Sequence, residues 1–129
     1  MTACGVWPAA HALVAVLVDG AGRSRSCRVA FSDDARWGLA HWLAAAGADL
    51  VVDEALLAAD PIADVARRAG VAVWIAGPFF EALRDAAGIT RRGARPSAAM
   101  LARLPAIPWL RSLLRRLEPP DHGRQIALL

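Results

Sequence analysis

The stretch DLVVDEALLAADPIADVARRAGVAVWIAGP, residues 49–78, decides the fold. Leu50–Val52 is an apolar run of strand length that stops at two carboxylates, Asp53 and Glu54. Asp60-Pro61 then marks a helix start: a short acidic side chain caps free N–H groups, and proline suits the first helical position. Gly70 closes that helix, and Val71–Ala76 is a second apolar run. Strand, helix and strand in this order form a parallel βαβ unit, whose strands are buried on both faces and so lack polar alternation.

Working outward toward the N-terminus, Cys4–Trp7 and Ala12–Val18 read as strands, the second ending at the hairpin-type turn Asp19-Gly20-Ala21-Gly22. The third run alternates, with Cys27, Val29 and Phe31 on the predicted buried face. Ser32-Asp33-Asp34 caps a helix with apolar face Leu39, Trp42, Leu43 and Ala46, ended by Gly47. Toward the C-terminus, Pro78 opens a helix through Leu83, and Pro96 opens another through Leu104. Pro108 opens a last one, with Ile107, Leu110, Leu113, Leu114 and Leu117 on one face and Arg111, Arg115 and Arg116 off it. The order βββαβαβααα predicts an α/β domain: a mixed sheet of three antiparallel strands followed by βαβα, with helices on both faces. Residues 1–118 form one domain ending in a basic helix, and 119–129 a tail.

The 129 residues are 57% hydrophobic, enough for one filled core. All fifteen basic residues are Arg, and thirty residues are Ala, a bias that weakens any reading of Arg against Lys. The net charge of +3 is unevenly placed. Seven acids and one Arg lie between Asp33 and Asp64, and seven Arg and no acid between Arg91 and Arg116. Such asymmetry marks either an anionic partner or a solvated surface. Cys4 and Cys27, with no CxxC and no His pair, make no zinc site and read as free buried thiols in a reducing cytoplasm. No apolar run reaches the ~18 residues of a membrane span.

Four stretches carry a family resemblance: LVAVLVDGAGR (13–23), WGLAHWLAAAG (37–47), VVDEALLAADPIADVARRAGVAVWIAGP (51–78) and AAMLARL (98–104). Their order and spacing resemble the RuvC-like, RNase H-fold N-terminal domain of the DEDD transposases of bacterial insertion sequences, here degenerate. The resemblance implies an RNase H-like fold over about residues 3–104. It also implies four acids holding divalent metal, because two metals ~3.5–4 Å apart clamp the attacking and leaving oxygens. The first-strand acid falls near Val6, and the late pair near Ala94 and Ser97. The strand-end acid falls on Glu54, the one retained and the residual catalytic candidate; a solvated strand-end Glu is the alternative. Asp53 is not expected to help Glu54, since neighbouring strand side chains face opposite ways.

His11, His41 and His122 are scattered, and His41, one turn from Trp37, reads as partly buried and hydrogen-bonded. No serine has a nucleophile motif, and no glycine loop fits a nucleotide. No cofactor or bound metal is expected. Trp109 is the one tryptophan open to a base-stacking role. Guanidinium groups suit phosphates, so Arg91, Arg92, Arg95, Arg111, Arg115 and Arg116 are the candidate nucleic-acid-binding residues. Three readings stay open. One is a catalytically inactive transposase-like domain that binds nucleic acid or is a mobile-element remnant. The second is a homodimerisation module using Ile107, Leu110, Leu114 and Leu117 of the last helix. The third is a metal-dependent nuclease with an unusual acid set, Asp19, Asp53 and Glu54.

Overall fold

The computed structural model describes residues 1–89 and 93–118. Five strands fall near the expected places: β1 (Ala3–Pro8), β2 (Ala12–Val18), β3 (Ser24–Ala30), β4 (Asp49–Asp53) and β5 (Val73–Ala76). A sixth, β6 (Arg115–Arg116), completes a sheet of order β3-β2-β1-β4-β5-β6. β1–β2–β3 is an antiparallel meander, β1, β4 and β5 run parallel, and β6 returns antiparallel. The helices are α1 (Asp33–Ala46), α2 (Glu54–Ala59), α3 (Ile62–Arg68), α4 (Phe79–Ala86), α5 (Ala94–Arg103) and α6 (Pro108–Arg111).

Alternation along each strand sends side chains to two cores. Cys4, Val6, Leu50, Val52, Val73 and Ile75 pack with Leu39, Leu43 and Ile62 of α1 and α3. Ala3, Trp7, Val51 and Ala76 pack on the other face with Phe80 and Leu101 of α4 and α5. This double cover explains why β2 lacks alternation: six of its seven residues are buried. Gly5 lets α5 lie directly on β1, since a Cβ there would stand 1.9 Å from the Ala98 carbonyl oxygen. The capping follows the sequence: Ser32 Oγ accepts from Ala35 N at 3.2 Å, and Gly47 ends α1 at φ 64°.

Four expectations are corrected. β3 is the edge strand, and of its predicted buried face only Val29 is buried; Cys27 is exposed and Phe31 is 46% exposed. α2 was not expected; six residues are too few to show a helical period. His41 is exposed and stacks on Trp37 at 5.5 Å.

The fourth correction concerns the last helix, which stops after four residues at Arg111. Arg115 and Arg116 instead pair with Ile75 and Trp74, and Leu117 N donates to Val73 O at 2.9 Å. The open edge of β5 offers unpaired backbone groups, and satisfying them outweighs extending a short helix. Leu110 and Leu114 are buried in this chain's own core, so two of the four predicted dimer residues are already covered. The predicted tail, 119–129, lies outside the described residues.

Candidate functional site

β1 and β4 run parallel with Gly5 beside Val51, and continuing that register by two residues sets Trp7 beside Asp53 on the α4–α5 face. The carboxyl ends of parallel strands, where the chain leaves to either side, are where open α/β sheets hold ligands. Asp53 is 8% exposed there, and its Oδ1 accepts from Leu56 N at 2.8 Å, capping α2. Burial raises the Asp53 pKa and nearby Glu81 adds to the rise, while the Leu56 N–H and the Arg84 guanidinium oppose it.

Arg84 is the residue that sequence reading missed. It sits on α4, 7% exposed, with its guanidinium 4.4 Å above the Trp7 ring. Its Nε donates to Ser97 Oγ at 2.9 Å, and its Nη1 lies 3.5 Å from Glu81 Oε2. Ser97 is fully buried and donates in turn to Gly93 O at 2.6 Å. Trp7 also packs against Phe80, with centroids 5.6 Å apart. A buried cation is thus held by an aromatic face, a hydroxyl and a carboxylate, a combination that offsets much of its desolvation cost. Strand parity places Trp7 with Asp53, but the register that joins them is a tertiary fact. Arg84 carries no sequence signal beyond being one arginine among fifteen.

The structure relocates the predicted acids. Val6 is fully buried on the opposite face, under α1 and α3, so Trp7 is the β1 residue that faces the site. Ser97 does reach it. Glu54 is the first residue of α2 and half-exposed, and its oxygens accept from Arg115 Nη2 at 3.0 and 3.1 Å. The site-facing carboxylate is its neighbour Asp53. Asp19 lies in the β2–β3 turn at the other end of the sheet, accepting from Ala21 N and Arg23 N, so Asp19, Asp53 and Glu54 are not brought together. Among the described residues no three His, Cys, Asp or Glu side chains are placed to hold a metal ion. The two-metal set implied by the resemblance does not fit these side chains. One carboxylate is spent on a cap, and a buried guanidinium stands where further anionic ligands would be needed.

Of the candidate phosphate-binding residues, Arg91 and Arg92 lie outside the described residues. Arg95 is exposed on the first turn of α5. Arg115 and Arg116 are exposed on β6, Arg115 paired with Glu54 and Arg116 lying 5.2 Å over the Trp74 ring. Arg111 is exposed at the end of α6, near Trp109, which is 65% exposed. Among the described residues Arg95, Arg111 and Arg116 form no ion pair with a carboxylate. The acids of the first half are largely compensated. Asp60 takes a bidentate bond from Arg36 at 3.0 Å, Asp64 pairs with Arg67 and Arg68, and Asp49 accepts from Trp74 Nε1. No described helix is long and apolar enough to cross a membrane.

With this geometry in view, no family model matches the chain and no curated protein matches it. A solved structure does: that of Thermus thermophilus RuvC, with TM-score 0.56 and 21% identity, covering 91% of this chain and all of the other. The fold is RNase H-like. At that identity the likeness speaks for the fold alone.

Proposed function

We propose that this chain is an RNase H-like domain, akin to the N-terminal domains of insertion-sequence transposases, that binds nucleic acid without cutting it. The observation that carries the reading is a set of exposed arginines. Arg95, Arg111 and Arg116 are exposed and free of carboxylate partners among the described residues, in a stretch whose seven arginines meet no acid in sequence. Guanidinium groups suit phosphates, and phosphate contacts carry no sequence information, so binding through them is sequence-independent. The strand-end geometry supports the second half of the reading, because Arg84 puts a fixed positive charge beside Asp53.

The test is fluorescence anisotropy with duplex and single-stranded DNA over a salt series. With about three to five phosphates contacted, log K falls with log salt at roughly −0.9 per contact for duplex. Replacing Arg95, Arg111 and Arg116 with Ala weakens binding evenly across sequences and flattens the slope by up to about three contacts. No measurable affinity at ~50 mM salt counts against the reading.

A second reading, homodimerisation, is favoured by one observation. An open, almost wholly apolar groove of about 420 Å³ runs between α4, α5 and α6, lined by Leu83, Met100, Leu104 and Ile107 among others. Trp109 and Leu113, 65% and 51% exposed, stand on or just beyond α6. Exposed apolar surface of this kind marks contact sites.

A further inference from the structure

We propose that the free edge of β3 pairs with β3 of a second copy of this chain, antiparallel about a two-fold axis at Cys27, so that two sheets join into one. This edge is the opposite one from β6, and the proposal uses neither the exposed arginines of the C-terminal third nor the groove beside α6. The seven residues of β3 have no described strand beyond them. Asp19 N donates to Arg23 O at 3.0 Å, which fixes the parity of the β2–β3 ladder. Arg25, Cys27 and Val29 bond to β2, and Ser24, Ser26 and Arg28 turn their N–H and C=O groups outward. The backbone groups of those three have no other partner among the described residues. Such a row is a template for another strand.

Register and charge select a second copy as the occupant. Outward residues must face outward residues, and Cys27 is the midpoint of the seven, so an axis there pairs the whole strand, Ser26 facing Arg28 and Ser24 facing Ala30. Arginines on an edge ordinarily discourage pairing. An axis at Arg25 or Arg28 would set like charges face to face, whereas an axis at Cys27 sets Arg25 against Val29 and Arg28 against Ser26. The same pairing carries Arg23 and Arg25 of one copy to the end of β3 where Asp33 and Asp34 open α1 of the other. Arg23, Arg25 and Asp34 are exposed and form no ion pair among the described residues, and Asp33 has only a 3.6 Å contact with Arg36. The edge is therefore complementary to itself in charge. On the α1 face of the sheet, an open and mostly apolar hollow of about 260 Å³ is lined by Cys4, Leu17, Cys27 and Trp42. Trp42 is 42% exposed and borders Cys27, so the axis gathers two indoles and two thiols over this apolar surface.

The experiment is sedimentation of the full chain from about 1 to about 100 µM, where a dimer forms, joined to cross-linking with diamide, which takes up the two hydrogens that a pair of thiols loses in forming a disulfide. Directly opposed residues of this kind have Cα atoms about 4.5 Å apart, within disulfide reach. Diamide therefore yields a Cys27–Cys27 dimer that Cys27→Ser abolishes and Cys4→Ser, at a buried thiol, does not. Ser26→Pro removes an outward N–H and spares the β2 ladder, so it weakens the dimer by about tenfold or more and slows cross-linking, with circular dichroism unchanged. Asp34→Arg weakens the dimer by less, and Arg25→Asp added to it restores pairing. A monomer throughout that range would overturn the proposal, as would a dimer indifferent to Ser26→Pro, one that does not cross-link through Cys27, or one lost on Trp109→Glu, which marks the groove instead. If Ser26→Pro does not fold, the charge exchange and the cross-link decide.

Discussion

Gly5→Ala is expected to be among the costliest single-methyl changes in the chain. The added Cβ would lie 1.9 Å from Ala98 O, 2.8 Å from Ala102 N and 2.9 Å from the Ala98 carbonyl carbon, all backbone atoms of α5. No rotamer relieves such a clash; the helix must withdraw by about 1.5 Å to restore ordinary contact. That retreat loosens Ala98, Leu101 and Ala102, all buried against the sheet. Overpacking costs typically ~1–3 kcal/mol, and a clash with main chain belongs at or above the top of that range. At roughly 3–5 °C per kcal/mol for a domain of this size, Tm falls by about 10 °C or more. Because α5 carries Ser97, the same displacement disturbs the bond that holds Arg84. Differential scanning fluorimetry gives the stability, with Gly38→Ala as control. That exposed helical glycine has nothing within 4 Å of its Cβ position, and the change gains about 0.5–1 kcal/mol. A Gly5→Ala protein melting within ~2 °C of wild type would refute the packing of α5 on β1.

Further outcomes follow from single groups. The Asp53 carboxyl has a folded pKa above its ordinary 3.8, so it holds its proton more readily when folded and its charged form is a cost that grows as pH rises. Urea unfolding of Asp53→Asn should therefore improve relative to wild type between acid and neutral pH, and a difference constant with pH contradicts this. Burial pushes the Cys4 thiol up to about 12, whereas Cys27, also raised, is exposed on the edge strand. Iodoacetamide mapped by peptide mass should label Cys27 well before Cys4; the reverse order would displace β3 from the edge. If the chain self-associates through the groove beside α6, Trp109→Glu dissociates it in sedimentation at micromolar concentration while leaving Tm nearly unchanged, and a monomeric wild type ends the dimer reading.

The central βαβ unit was legible because caps and stops frame apolar runs of the right length: Leu50–Asp53, Asp60-Pro61, Gly70 and Val71–Ala76 each fall within or beside the observed elements. The last segment was not. The spacing of Leu110, Leu114 and Leu117 suits a helix, and only the unpaired edge of β5 turns it into a strand. At the strand end, the side chain that faces the crevice is Asp53 and not its neighbour Glu54, because a strand reverses face at every residue and sequence spacing is good only to a residue or so. Trp7 and Arg84 come together across seventy-odd positions through the packing of α4 on β1, which no local pattern encodes.

The most direct test of the account is a cleavage assay on the full chain with single-stranded, duplex and branched DNA in magnesium or manganese. A strand-end site built from one capping carboxylate and a buried guanidinium predicts that every substrate stays intact, with no difference between wild type, Asp53→Asn and Glu54→Gln. Metal-dependent cleavage by wild type that either substitution abolishes would contradict it.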